Sequence, residues 1–189
     1  MTAAWVIQGL DDRIRLMVHA HATPALTSLM LGFSLIGQPA VLIAWSALVA
    51  FWLVRAGRAR TAVLFCIVLA GAEVIDFSSK LAFHRARPVP FFGLHAPRSY
   101  SFPSGHALVS CTFFGMLAAI AAARFESRAR RWSFYAAAAA ITGAIGFSRI
   151  YLGVHYPSDV LGGYALALLW LLSVMWARRL PPLRKPMPV

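Results

Sequence analysis

The sequence predicts an all-α integral membrane bundle of six transmembrane helices, and three observations lead there. Of the 189 residues, 60% are apolar and only 13% charged, which leaves too little polar surface for an ordinary water-soluble domain. Mean hydropathy is +0.69, and charged residues gather between long apolar runs. The alternation of apolar and polar residues that marks a membrane barrel is missing. A net charge of +12 would suggest nucleic-acid binding in a soluble protein. Here Arg55, Arg58 and Arg60, then Arg124, Arg128, Arg130 and Arg131, then Arg178, Arg179, Arg184 and Lys185 flank the apolar runs. Such placement sets topology and contacts anionic lipid, so the bilayer replaces nucleic acid as the expected partner.

Residues 1–18 mix apolar side chains with Asp11, Asp12, Arg13 and Arg15. An interfacial helix acting as an anchor is expected there. Candidate spans follow at 16–36, 40–54, 61–79, 107–123, 132–147 and 160–176, each about long enough for a thin or tilted crossing. The first is softened by His19, His21, Thr23 and Pro24, and ends at Gly37-Gln38-Pro39. A single membrane-embedded domain would cover 1–180, leaving 181–189 as a basic disordered tail. Arginine clusters follow the second, fourth and sixth spans, so both termini are expected to be cytoplasmic in a plasma or inner membrane protein. Segments 80–105 and 148–158 would then share the periplasmic or exterior face. Cys66 and Cys111 fall at different depths, beyond disulfide reach, and are expected to be buried apolar residues.

Strongly polar side chains interrupt the apolar pattern in the two outer segments. Ser148 to Asp159 holds Arg149, His155 and Asp159, where a cation precedes a histidine and a carboxylate follows it four residues on. That order suits an anionic substrate attacked by an imidazole that an acid steers. The longer segment holds Lys80, Arg87, Ser104, Gly105 and His106. Ser104 and Gly105 open a helix, whose free N–H groups and positive dipole end can bind phosphate. Ser104 has two roles open to it, phosphate donor or simple N-cap. Asp76 can pair with Lys80 at i+4, either to hold its ammonium at the substrate or as a structural ion pair. His84, Arg85 and Arg98 read as solvated loop charge.

These residues resemble the three signatures of the type 2 phosphatidic acid phosphatase superfamily. Lys80 with Arg87-Pro88, Pro103-Ser104-Gly105-His106, and Ser148-Arg149 with His155 and Asp159 are complete and in order across 80–159. The resemblance implies hydrolysis of a lipid phosphomonoester or diphosphate, such as phosphatidate, phosphatidylglycerophosphate or undecaprenyl diphosphate. His155 would be the nucleophile that forms a phosphohistidine, Asp159 would orient it, and His106 would protonate the leaving oxygen. Lys80, Arg87, Ser104, Gly105 and Arg149 would hold the phosphoryl oxygens. The family needs no metal or other cofactor, and the sequence offers Asp159 as the one outer carboxylate near the site, too few for magnesium. Soluble haloperoxidases with a similar site are excluded by the hydrophobicity. A phosphotransferase using the same intermediate, or a transporter relaying through Glu73 and Asp76, are the competing readings.

Overall fold

The computed structural model describes residues 3–95 and 97–177. It contains α1 (Ala3–Ala20), α2 (Pro24–Ile36), α3 (Pro39–Arg55), α4 (Ala59–Phe83), α5 (Gly105–Ala122), α6 (Arg128–Tyr151) and α7 (Pro157–Ala177). No strand occurs among the described residues. The tail at 181–189 lies outside them.

Local chemistry explains the boundaries. Thr23 caps α2 by accepting from the Leu26 N–H at 3.2 Å, with Pro24 in the first helical position, where proline sacrifices no needed donor. This cap splits the expected first span. A continuous crossing over 16–36 is replaced by two helices, α1 and α2, separated at residues 21–23. Pro39 similarly opens α3, and α2 and α3 meet at a bend of 52°. Gly153 ends α6 at φ +74, where a Cβ would come within 2.8 Å of the Phe91 backbone nitrogen, so only glycine fits without strain.

Helix α5 is central, packed against α4, α6 and α7. Leu42, Leu53, Phe65, Leu69, Leu108 and Phe113 form the main core, with Phe65 and Phe113 edge to face at 5.7 Å. The periphery is also apolar: Phe51, Val63, Ile67, Leu161, Leu169 and Trp176 are exposed. A belt of that kind suits hydrocarbon surroundings and would be unusual in water. Cys66 belongs to this exposed surface, contrary to its expected burial.

Helices α4, α5 and α7 are each long and apolar enough to cross a membrane, and a fourth crossing arises if the bent α2–α3 pair counts as one. Six independent crossings are therefore not evident. Helix α6, with 24 residues, contains the expected 132–147 span but begins with Arg128, Arg130 and Arg131.

Candidate active site

Four helix ends and two loops converge at one end of the bundle. The C-terminal ends of α4 and α6 bring Lys80 and Arg149, the N-terminal ends of α5 and α7 bring His106 and Asp159, and the loops supply Arg87 and His155. Helix α7 reaches the start of α5 because Gly163 lacks a Cβ, which would lie 2.8 Å from the Ser104 carbonyl oxygen. A backbone hydrogen bond from Ser104 N to Asp159 O, 3.0 Å, ties the two helix starts.

His155 is 2% exposed. Its Nδ1 faces Asp159 Oδ2 at 3.4 Å, and its Nε2 faces Arg87 Nη1 at 2.9 Å. A guanidinium only donates, so Nε2 carries the lone pair and Nδ1 the proton, donated toward Asp159. This tautomer leaves the unprotonated Nε2 beside Arg87. Burial, with the Arg87 and Arg149 cations nearby, pushes His155 down to about 4 against the opposing hydrogen bond to Asp159. The imidazole is thus neutral around pH 7. Arg87 is itself oriented by Ser99, through Nε to the carbonyl at 2.7 Å and Nη2 to the hydroxyl at 2.9 Å, and by the Val154 carbonyl at 3.0 Å.

Asp159 is fully buried and accepts from four directions. Its Oδ2 takes Ser101 Oγ at 2.5 Å and the Tyr156 N–H at 2.9 Å besides His155, while Oδ1 takes Arg85 Nη1 at 2.6 Å. Ser101 and Arg85 were not expected here. Arg85 is no solvated loop charge, since it bridges Asp159 and Asp11 of α1. Asp11 also overturns the idea of one outer carboxylate, and Asp76 lies close to Arg87 as well. Only the three- and four-residue spacing of Gln8, Asp11, Arg15 and His19, which puts them on one face of α1, hinted that this helix has a polar partner.

Ser104 occupies the N-cap position of α5 but makes no capping hydrogen bond. Its buried Oγ and the Nε of buried Arg149 have no hydrogen-bond partner among the described residues. Buried donors are ordinarily satisfied, so both keep hydrogen-bonding capacity that no cap uses; Arg15 Nε and His19 Nδ1 are likewise unpartnered among the described residues. Arg149 Nη1 donates to Ser34 Oγ of α2, which aims the guanidinium. His106 neighbours Arg149, His155 and Arg87, and its ring lies against Gly37, where a Cβ would be 3.3 Å from Cδ2. Lys80 pairs with Asp76, and the Asp76 carboxylate lies about 3 Å from where a Gly105 side chain would begin. All nine expected site residues therefore share one end of the bundle.

A family model, the PAP2 superfamily, matches residues 61–180. The chain belongs to the PAP2 superfamily. Among relatives of this PAP2 chain, phosphatidylglycerophosphatase B of Bacillus subtilis is 28% identical over 165 residues, covering 86% of this chain and 80% of its own. An undecaprenyl-diphosphatase of Sulfolobus acidocaldarius is 26% identical, covering 84% and 73%. A crystal structure of a transmembrane PAP2 type phosphatidylglycerolphosphate phosphatase from Bacillus subtilis superposes with a TM-score of 0.83 at 26% identity, covering 95% of this chain and 90% of that one.

Proposed function

We propose that this PAP2 protein hydrolyses a lipid phosphomonoester or diphosphate at the outer membrane boundary, through a phosphohistidine and without a metal. The observation that carries this reading is the orientation of His155, with Nδ1 toward Asp159 and Nε2 beside the Arg87 guanidinium. In the first step His155 Nε2 attacks phosphorus, the P–O bond to the lipid breaks, and His106 gives its proton to the departing oxygen. In the second, neutral His106 takes a proton from water, whose oxygen bonds to phosphorus as the N–P bond breaks. Arg87, Arg149, Lys80, Ser104 and the Gly105 N–H balance the equatorial oxygen charge, where fixed donors matter most. Asp76 fixes the Lys80 ammonium beside that cradle.

Phosphatidylglycerophosphate and undecaprenyl diphosphate are the favoured substrates, supported by the named activities of the relatives above. Transfer of the phosphoryl group to a second lipid uses the same first step and differs only in the acceptor.

The topology we propose places the arginine clusters in the cytoplasm and the site outside. Thr23 and Thr27 at the start of α2 meet Tyr151 at the site end of α6, with 2.8 Å between the Thr27 and Tyr151 hydroxyls. The bent α2–α3 pair then makes one crossing, and α4, α5, α6 and α7 bring the total to five in place of the expected six. Helix α1 lies on the outer side, in place of a cytoplasmic N-terminus.

The test is phosphate release from detergent-solubilised phosphatidate, phosphatidylglycerophosphate and undecaprenyl diphosphate in EDTA. Wild type should release phosphate, and His155→Ala should lose more than about 10⁴-fold, the order seen when a member of a catalytic unit is removed. Release that persists in the folded His155→Ala protein, or that stops in EDTA, overturns the mechanism.

A further inference from the structure

Helix α1 does more than lie on the membrane. Asp11 is 3% exposed, and its carboxylate is fully engaged. Oδ1 accepts the Ser158 backbone N–H at 2.9 Å, while Oδ2 accepts Ser158 Oγ at 2.5 Å and Arg85 Nη2 at 2.8 Å. Ser158 is in the first turn of α7, next to Asp159, so Asp11 caps from another helix the turn that presents the carboxylate facing His155.

Arg85 divides its fork between two carboxylates. Nη2 serves Asp11 and Gln8 Oε1 at 2.9 Å, and Nη1 serves Ser158 Oγ at 2.7 Å and Asp159 Oδ1 at 2.6 Å. The guanidinium also lies over the Tyr156 ring, 4.2 Å from its centroid. Among the described residues, its hydrogen bonds go to neither His106 nor the phosphate cradle. What it fixes is the free oxygen of Asp159, and with it the rotation of the carboxylate whose other oxygen meets His155.

We propose that Asp11 and Arg85 are positioning residues for catalysis: the N-terminal helix, through Asp11 and Arg85, sets the orientation of Asp159 and thereby the tautomer of His155. The chain runs Asp11, Arg85, Asp159, His155, from the N-terminal helix to the attacking nitrogen. This inference rests on the function proposed above. A carboxylate held on one oxygen only can rotate, and its 3.4 Å contact to Nδ1 leaves little margin for loss. A planar fork suits two carboxylates at once, whereas an ammonium does not.

The experiment measures kcat, KM and thermal stability in detergent for Asp11→Asn, Asp11→Glu, Arg85→Gln, Arg85→Lys, the Asp11→Asn/Arg85→Gln double variant and His155→Ala, with undecaprenyl diphosphate and phosphatidylglycerophosphate as probes. Asp11→Asn and Arg85→Gln should each lower kcat by about 10- to 100-fold, the size of effect when an outer partner of a working side chain is removed, with KM within about twofold. The double variant should be no worse than Arg85→Gln, because the two act in series. Arg85→Lys, which preserves charge and serves as the fold-safe variant, should fall nearly as far as Arg85→Gln, and Asp11→Glu should recover part of the activity.

A pH readout separates positioning from scaffolding. His155 is faced by Asp159 of α7, Arg87 of the loop, Arg149 of α6 and His106 of α5. Removing the Arg85 cation from Asp159 should move the acid limb of kcat/KM upward in Arg85→Gln. Wild-type kcat in Arg85→Lys and Asp11→Asn, with His155→Ala inactive, overturns this inference and leaves the proposed function standing. An active His155→Ala overturns the function itself.

Discussion

The two ends of the bundle use the same residue type in opposite ways. At the end holding His155, Arg149 is 8% exposed, Arg87 is held by Ser99 and Val154, and Arg85 joins two buried carboxylates. At the other end Arg55, Arg60, Arg124, Arg128, Arg130 and Arg131 are exposed, and their recorded contacts are with aromatic faces, such as Arg124 over Trp52 at 5.0 Å. That end also carries an apolar groove of about 800 Å³ walled by Gly115, Ala119, Trp132 and Leu172. Cations in solvent orient the chain in the bilayer and do little else. Cations withdrawn from solvent are costly unless each proton has a partner, and the unpartnered Ser104 Oγ and Arg149 Nε belong to the cradle proposed for the phosphoryl group.

The sharpest way to break this contrast is to exchange one arginine at each end for alanine. Arg149→Ala should lower kcat/KM by about 10²- to 10³-fold, as loss of a charge-stabilising donor does, while Arg128→Ala should stay within about twofold. Equal effects in phosphate-release kinetics would erase the distinction.

Acidity gives the next largest effect. In the proposed mechanism the neutral imidazole attacks, and burial places His155 at about 4, so activity should be retained as the pH falls through 6.5 and be lost near 4. At pH 5 this protects the nucleophile by about 30-fold relative to an ordinary histidine. A kcat/KM profile whose acid limb lies at 6 or above would contradict the burial that separates this end from the solvated one.

A smaller change tests whether Ser104 belongs to the cradle or to the helix. Ser104→Ala should cost about tenfold in kcat/KM, the worth of one hydrogen bond to a charged group, with an unchanged Tm. If it were a working cap, the loss would appear in stability, at about 1 kcal/mol, and not in rate. The opposite end supplies the mirror image: Leu53→Ala, at a fully buried position, should cost about 2–5 kcal/mol in stability and leave kcat within about twofold below the melting range.

The sequence by itself determined an all-helical membrane protein and the nine residues of the candidate site. Hydrophobic runs and fixed motif spacing are local properties, and each motif lies at a helix end; Ser104, Gly105, Gly153 and Pro157 mark three of those ends, while α4 stops at the left-handed His84. Residues 80, 87, 104–106, 149, 155 and 159 could therefore be grouped before any contact was seen. The tertiary structure alone decided what surrounds them. Thr23 and Pro24 split the first expected span, and the 52° bend joined α2 to α3, because caps and bends compete with hydrophobic length in ways that composition does not weigh. Ser104 makes no capping bond, and α7, through Gly163, packs against its backbone carbonyl, a long-range contact that no local pattern announces. Asp11 meets Arg85 from 74 residues away, and Ser101 meets Asp159 from 58. Pairings over such separations carry no spacing signature, since they depend on how the folded elements stack and on the need of a buried charge for a partner.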